Sequence, residues 1–464
     1  MSTADVGPMP EQPPVHDEPE SRPGGLPLYV WVILAVVLAI PVGLGLGIDA
    51  RRVAGLPGPA MGALRVLAIG LDLAPTLIIR ALGALAAPLV VLAILSAIVT
   101  NEVHGRQGAR MMVYYLINTL VAMVFGLVLS NLLKPGVGKA LGGTAGASGA
   151  PAKLINVLLK APALKQLPEP KSVSDVLLEL VPKSVGDAFA QNNLAQLVLL
   201  TVALGIGLAK IRDEQRARGE EAYKAVVDLL TVGFELLMRV LLWVVALVPF
   251  AVFGTVALSI AREGFELFIN LGWFIVVVLA GLSCQLLWYL GQLAIFARMS
   301  PTRFLAGAAD VIAGTFSTSS TAATMPITLR ALTGKLGVSR ASSQLAACVG
   351  TNFNNDGTAL YQAAAALFFA QAMGEKLGLA AQVVIVLTTL VASVGAGGIP
   401  SGSFVTLPLI FAAVGIPAQS LPLLLTIDWF LDRCRTTSNV LGDMTVAVLL
   451  DRTADKPGTA AGDG

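Results

Sequence analysis

Charge is what this chain has least of. Only 13% of its 464 residues are Asp, Glu, Lys or Arg, while 55% are hydrophobic; a soluble domain carries about 25% charged residues. The apolar residues come in long runs, and the mean hydropathy is +0.78. That balance excludes an ordinary soluble domain and implies an all-α polytopic membrane protein, with roughly eight to ten crossing or re-entrant elements of about 20 residues. Histidine occurs twice, at His16 and His104, both outside the apolar runs, which argues against histidine-based metal or triad chemistry inside a membrane. The three cysteines, Cys284, Cys348 and Cys434, sit in apolar segments without metal-ligand spacing, so neither a disulfide framework nor a thiolate site is indicated. A net charge of +2 leaves no footprint for nucleic acid.

What is present starts with a polar tail. Residues 1–26 are rich in Pro, Glu and Asp and read as disordered, without the basic n-region of a signal peptide. Residues 454–464 are small and polar and read the same way. Between them lie apolar runs at Leu28–Ile48, Leu73–Val99, Met111–Leu133, Leu194–Leu208, Ala225–Ile260 and Phe265–Phe296. The Gly-, Pro- and Lys-rich stretch Lys134–Asn192 is too long for a plain loop and reads as an exposed insertion with local helix. Arg212, Arg216, Arg218, Arg298 and Arg303 follow spans and place the N-terminus in the cytoplasm of a bacterial-type cell membrane. Arg51, Arg52 and the lysines of the insertion count the other way.

From Pro301 onward the pattern changes. Leu305–Leu332 is apolar at both ends, but its middle is the hydroxyl-rich Gly314–Thr321. Val383–Val414 has the same plan, with Gly395–Gly402 at its middle. Each reads as a helical hairpin that enters the membrane and turns back, which is tolerated only where protein or a cavity satisfies the broken backbone. Each is followed by a span marked with polar residues: Gln344–Ala370, then Leu421–Leu450. The two copies suggest an internal repeat, at whose interface secondary transporters place their sites.

The last span is the most informative. At about 100° per residue, Asp428, Asp432, Arg435, Asn439 and Asp443 share a sector roughly 80° wide. A charge at the bilayer centre costs about 2.5–3.5 kcal/mol on insertion scales, so the stripe has to line an enclosed site. Arg435 offers a planar fork suited to a carboxylate, Asp432 can accept from an ammonium, and Asn439 and Asp443 are hard oxygen donors for a cation. The plainer alternative is an ion-pair network that only holds helices together. In Asn352-Phe-Asn-Asn-Asp-Gly-Thr358, Gly357 permits an unwound turn that frees carbonyls for a cation, with Asp356 supplying charge and Thr358 a hydroxyl; an aqueous turn is the alternative. The hydroxyls Ser317–Thr321 suit either a carboxylate at a hairpin tip or small-residue packing. Tyr114–Thr119 offers cation ligands, or interfacial tyrosines and interhelical hydrogen bonds.

From about Pro301 to Arg452 the chain resembles the glutamate/aspartate transporter family, the dicarboxylate/amino acid:cation symporters. Gly314–Arg330 resembles the serine-rich first hairpin, Asn354–Ala370 the Asn-x-Asp-Gly-Thr helix, and Ala392–Leu409 the second hairpin. The stretch IDWFLDRCRTTSNVLGD, Ile427–Asp443, resembles the signature last helix, closer to the animal excitatory amino-acid transporters than to archaeal homologues. The resemblance implies about eight transmembrane helices plus two re-entrant hairpins, inverted repeats and a homotrimer working as an elevator. Scaffold helices would occupy 27–110 and 193–262, the transport domain 111–134 and 263–453, and an extramembrane insertion 135–192. Asp432 matches the residue that takes the substrate ammonium, and Arg435 the one that takes the side-chain carboxylate, with Thr358 beside it. Thr436, Asn439, the first tip Ser319, Ser320 and Thr321, and the second tip Ile399, Pro400, Ser401, Gly402 and Ser403 would complete the pocket. One sodium site would use Gly350, Asn354, Asn439 and Asp443. A second would use Tyr115, Asn118, Thr119, Asn354 and Asp356. A third, mostly backbone, would lie between Asn352 and Ser393, Val394 and Ala396. Arg433 matches an arginine that leans toward the first hairpin.

Within the resemblance, Arg435 favours acidic over neutral amino acids, and Asp432 argues against plain C4-dicarboxylates, which lack an ammonium. Asn355 stands where the family normally has Met, Asn118 replaces a usual Thr, and Ser403 a usual Gly; the first bears on ion stoichiometry and identity. The expectation is a Na⁺-coupled symporter of L-aspartate and/or L-glutamate in the lipid bilayer, with H⁺ coupling, dicarboxylates or neutral amino acids as alternatives. An ion channel would conduct without concentrating substrate. An intramembrane hydrolase is disfavoured, because Asp428 and Asp432 lie four apart on one helix and a dyad needs facing carboxylates.

Overall fold

The computed structural model describes residues 28–52, 58–100, 105–137, 184–190, 194–263, 266–395, 402–416 and 421–453. The tails and most of the insertion expected at 135–192 lie outside the described residues. Among the described residues every regular element is helical. The first half contributes α1 (Leu28–Arg52), α2 (Gly58–Thr100), α3 (Gly105–Leu133), the short α4 (Val185–Ala190), α5 (Leu194–Ala217), α6 (Ala222–Ala246), α7 (Val248–Glu263) and α8 (Glu266–Ile295). The second contributes α9 (Pro301–Thr318), α10 (Thr321–Arg330), a π-helical turn Ala331–Leu336, α11 (Arg340–Phe353), α12 (Asp356–Ala372), α13 (Leu379–Gly395), α14 (Ser403–Ala413) and α15 (Leu421–Thr453). Four stretches within these helices are long and apolar enough to cross a membrane: Leu73–Ser96, Gln107–Leu133, Ala222–Leu258 and Ile269–Ile295.

The apolar run Ala225–Ile260 is two helices rather than one. α6 ends at Leu247, whose N–H bonds to Val244 O and Val245 O. Pro249 follows, and its ring cannot donate and crowds the carbonyl four residues back, which resets the helix there. Large apolar side chains point outward from this pair, with Leu229 71%, Trp243 70% and Phe250 65% exposed. An apolar face of that kind suits lipid or a neighbouring subunit and not water.

The interior is built around α12, whose residues Asp356 to Ala370 are all buried. A helix buried all round must be apolar all round, and the Ala-rich run after Tyr361 meets that demand. α12 packs between α3 and α15 and touches α8, α13 and α14. Phe274 of α8 stacks near Tyr361 and Phe368 at 5.8 and 4.9 Å between ring centroids. At the helix end, Gln371 Nε2 donates to Ser130 O of α3 at 2.8 Å.

The first expected break is present. In the first hairpin, α9 ends at Ser319, which is left-handed at φ 53°, and Ser320 Oγ caps α10 by accepting from Ala323 N at 3.2 Å. Thr318 Oγ1 donates back within α9 to Gly314 O at 3.0 Å and accepts from Ser320 N at the turn at 3.3 Å. The turn therefore falls at Ser319 and Ser320, within the expected tip Ser319–Thr321. In the second hairpin α13 and α14 flank residues 396–401, which lie outside the description. The buried Gln362 of α12 donates to Thr406 Oγ1 of α14 and holds that arm against the core.

Candidate functional site

Among the described residues, two breaks in regular helix lie against α15. α11 and α12 are parted by Asn354 and Asn355, the former in an extended conformation (φ −102°, ψ 99°). This corrects one expectation: Gly357 is not the unwound residue but already sits inside α12. Its role is close approach, since a Cβ there would lie 2.7 Å from Arg435 O of α15. The first hairpin reaches α15 through Phe316, edge-on to Phe430 at 6.4 Å.

Arg435 is the centre of the site and is 1% exposed. Its Nη2 donates to Asp428 Oδ1 at 2.8 Å and to Asp432 Oδ1 at 2.7 Å. Its guanidinium carbon lies 4.0 Å from the centroid of the Tyr361 ring on α12, a stacking contact that suits a planar cation. Among the described residues, Nε and Nη1 have no acceptor. Nη2, which both edges of the guanidinium share, is therefore held by the protein, while Nε and Nη1 are left unpaired on either side of it. Leaving charged donors so is costly unless a ligand completes them, and a carboxylate is an anion that guanidinium N–H groups bind well. Ser319 Oγ, Thr321 Oγ1 and Ser403 Oγ are also buried and unpaired among the described residues. Thr436 is buried one residue beyond Arg435.

Asn439 joins this pocket to the break. Its Oδ1 accepts from Gly357 N at 2.8 Å, and its Nδ2 reaches Thr358 Oγ1 at 3.3 Å and Asn355 Oδ1 at 3.4 Å. Asn355 in turn donates to Ser393 O of α13 at 2.8 Å. The amide that stands at the Met position thus already occupies one carbonyl of the expected third cation site. Ala396, Ile399, Pro400 and Ser401 lie outside the described residues, as do the side chains of Asn352 and Val394; Gly402 precedes α14 as its cap.

Two buried carboxylates lie deeper. Asp443 Oδ1 accepts from Asn354 Nδ2 at 2.8 Å, and the same nitrogen reaches Asn439 O at 2.9 Å. Asn354 Oδ1 has no partner among the described residues. Gly350 leaves room for this cradle: a Cβ there would fall 2.0 Å from Asp443 Oδ1 and 2.7 Å from Tyr115 OH. Tyr115 OH donates to Ala346 O at 2.8 Å, so this side chain stands with Asp443. Asp356 forms the second cradle, accepting from Thr119 Oγ1 and from Tyr289 OH, both at 2.6 Å. Asn118 is buried beside it, but its Oδ1 accepts from Trp288 Nε1 at 3.0 Å. Neither Asp356 nor Asp443 has a Lys or Arg ion-pair partner among the described residues. Buried carboxylates without a cation are costly, and hydroxyl, amide and carboxylate oxygens are the ligands a hard cation prefers. The donor sets fit such an ion. A substitution tests the first cradle: Gly350→Ala should leave the protein folded in cation-free buffer but lower Na⁺ affinity at least tenfold, measured by ²²Na⁺ binding; native affinity would show that the cradle holds no ion.

The family model described as the sodium:dicarboxylate symporter family matches residues 28–453. The chain belongs to that family. Its relatives include excitatory amino acid transporter 3 of Homo sapiens, 27% identical, with 92% of this chain and 86% of the relative covered. The neutral amino acid transporter B(0) of Mus musculus is 30% identical over 92% of this chain and 81% of its own. A C4-dicarboxylate transport protein of Anaeromyxobacter sp. (strain K) is 30% identical over 92% and 89%. Membership makes the protein an integral membrane transporter and not an enzyme. The similar identities do not rank the substrate classes, which leaves that to the residues of the site.

Several residues of this symporter site escaped the sequence. Asp428 was in the charged stripe, yet only the structure makes it a second carboxylate on Arg435. Tyr361 is not singled out in the sequence at all, and only the structure sets its ring against the Arg435 guanidinium. Gln285 and Tyr289 lay in a span read as simply apolar, though two glutamines seven apart, Gln285 and Gln292, are an intramembrane polar signal.

Proposed function

We propose that the protein imports an acidic amino acid, L-aspartate or L-glutamate, coupled to Na⁺. The observation that carries this reading is the pair of buried, unpaired guanidinium nitrogens of Arg435, Nε and Nη1, beside an Asp432 that is 17% exposed at its side chain. The fork receives the side-chain carboxylate, Asp432 receives the ammonium, and the hydroxyls of the first hairpin tip face the remaining carboxylate.

Coupling follows from charge. Counted as ionised, Asp356, Asp428, Asp432 and Asp443 set four negative charges against the single positive charge of Arg435. Arg433 is half-buried and turned back on its own helix, donating to Trp429 O at 2.6 Å. An acidic amino acid adds a further negative charge. A body so charged crosses a bilayer only when cations accompany it. The chain Asp443–Asn354–Asn439–Thr358 links the cation cradle to the pocket by hydrogen bonds, so occupation of one orders the other. The reading extends to an elevator movement of 111–134 and 263–453 against scaffold helices at 27–110 and 193–262, in a homotrimer with a cytoplasmic N-terminus.

The test is uptake of radiolabelled L-aspartate into proteoliposomes, with an inward Na⁺ gradient compared with an inward proton gradient without sodium. Concentrative uptake with Na⁺ alone supports the reading. Uptake driven by protons alone keeps the pocket and changes the ion, and uptake with neither removes the assigned substrate.

A further inference from the structure

The Asp356 cradle contains a residue assigned no role so far. Gln285 lies in the middle of α8, fully buried at 0% exposure. Its Nε2 is shared between Asn118 O at 3.2 Å and Asp356 Oδ2 at 3.4 Å, both long contacts. Its Oε1 has no donor among the described residues. A buried amide with an unpaired oxygen is a defect that a folded protein rarely keeps without reason. Asn118 shows the opposite arrangement: its oxygen is taken by Trp288 Nε1, and its Nδ2 is the unpaired atom. An NH₂ group offers nothing to a cation. The amide oxygen available at this cradle is therefore that of Gln285.

The two ends of an amide are nearly the same size, and turning one over exchanges a donor for an acceptor. With Nε2 toward Asp356, Gln285 adds a neutral donor to those of Thr119 and Tyr289 on a carboxylate that has no Lys or Arg partner among the described residues. With Oε1 turned in, it would repel that carboxylate unless a positive ion lay between them. We infer that Gln285 is a ligand of a hard monovalent cation held at Asp356, donating to the carboxylate in one state and presenting its oxygen to the ion in the other. The cation would then be surrounded by oxygens from three helices: Asn118 O and Thr119 Oγ1 of α3, Asp356 of α12, and Gln285 Oε1 of α8. This rests on the sodium-coupled reading and adds α8 to the cation site.

The experiment measures ²²Na⁺ binding to the purified full-length protein in nanodiscs without substrate, and in parallel the rise in thermal midpoint when choline is replaced by Na⁺. Gln285→Met keeps the length and packing of the side chain without its oxygen. Gln285→Glu keeps an oxygen in the same shape. Removal of a group that holds a metal site lowers affinity roughly ten- to a hundredfold, and that loss is expected for the Met variant, together with a smaller Na⁺-induced midpoint shift. The Glu variant should bind Na⁺ at least as well as the native protein. Native affinity in Gln285→Met overturns the inference while leaving sodium coupling intact, and so does a Glu variant as weak as the Met variant. A native protein that binds no Na⁺ at all overturns both, and specifically through the coupling ion.

Discussion

Arg435→Cys should lose acidic substrates and take up neutral ones. The guanidinium is the one cation placed on the pocket side of α15, and two of its nitrogens are unpaired. Truncating one partner of a buried, hydrogen-bonded charge pair costs about 2–5 kcal/mol, which corresponds to roughly thirty- to several-thousand-fold in affinity. Aspartate titrated by calorimetry should fall by that factor, while serine or alanine, which bring no second carboxylate, should gain. The substitution also strands Asp428 and Asp432 against each other, and breaking a buried pair costs about 3–5 kcal/mol of stability. Arg435→Lys separates the two effects. A lysine restores a positive charge near both carboxylates, so the thermal midpoint should recover. It cannot supply the planar two-nitrogen fork, so aspartate affinity should stay low. Unchanged aspartate affinity in the Cys variant would end the assignment of Arg435.

The parts of this architecture that were legible in the sequence are those where polarity and periodicity conflict. Hydroxyls in the middle of an apolar run announced the turn at Ser319 and Ser320, and the stripe from Asp428 to Asp443 drew attention to the last helix because charge in hydrocarbon is costly. The positions of the breaks were less legible. Gly357 looked like the point of unwinding because glycine tolerates it, whereas the structure needs its missing Cβ to admit the α15 backbone. That requirement is set by Arg435, 78 residues further along the chain (435 − 357), and leaves no local trace. The split of Ala225–Ile260 was signalled only by Pro249. Pairings were not legible at all: whether Tyr115 stands with Asp443 or Asp356, and whether Asn355 reaches Ser393, depends on how α3, α11 and α13 pack.

Asp432→Asn should separate amino acids from dicarboxylates, the distinction that family membership leaves open. The asparagine is isosteric, and its oxygen can still accept from Arg435 Nη2, which now lies 2.7 Å from Asp432 Oδ1. Asp428, at 2.8 Å from the same nitrogen, continues to neutralise the guanidinium. The fold and the carboxylate fork should therefore survive. What disappears is the negative charge in excess of that one guanidinium, and with it the partner of an ammonium. Losing that charge-assisted contact in a desolvated pocket should weaken aspartate by about 2–5 kcal/mol. Succinate has no ammonium and is repelled by Asp432, so its affinity should hold or rise. A competition assay with both ligands on native and variant protein reads the ratio directly. A fall in aspartate with succinate unchanged identifies Asp432 as the amino-group receptor. Equal losses for both would make Asp432 a structural partner of Arg435 alone, and unchanged aspartate binding would place the ammonium elsewhere.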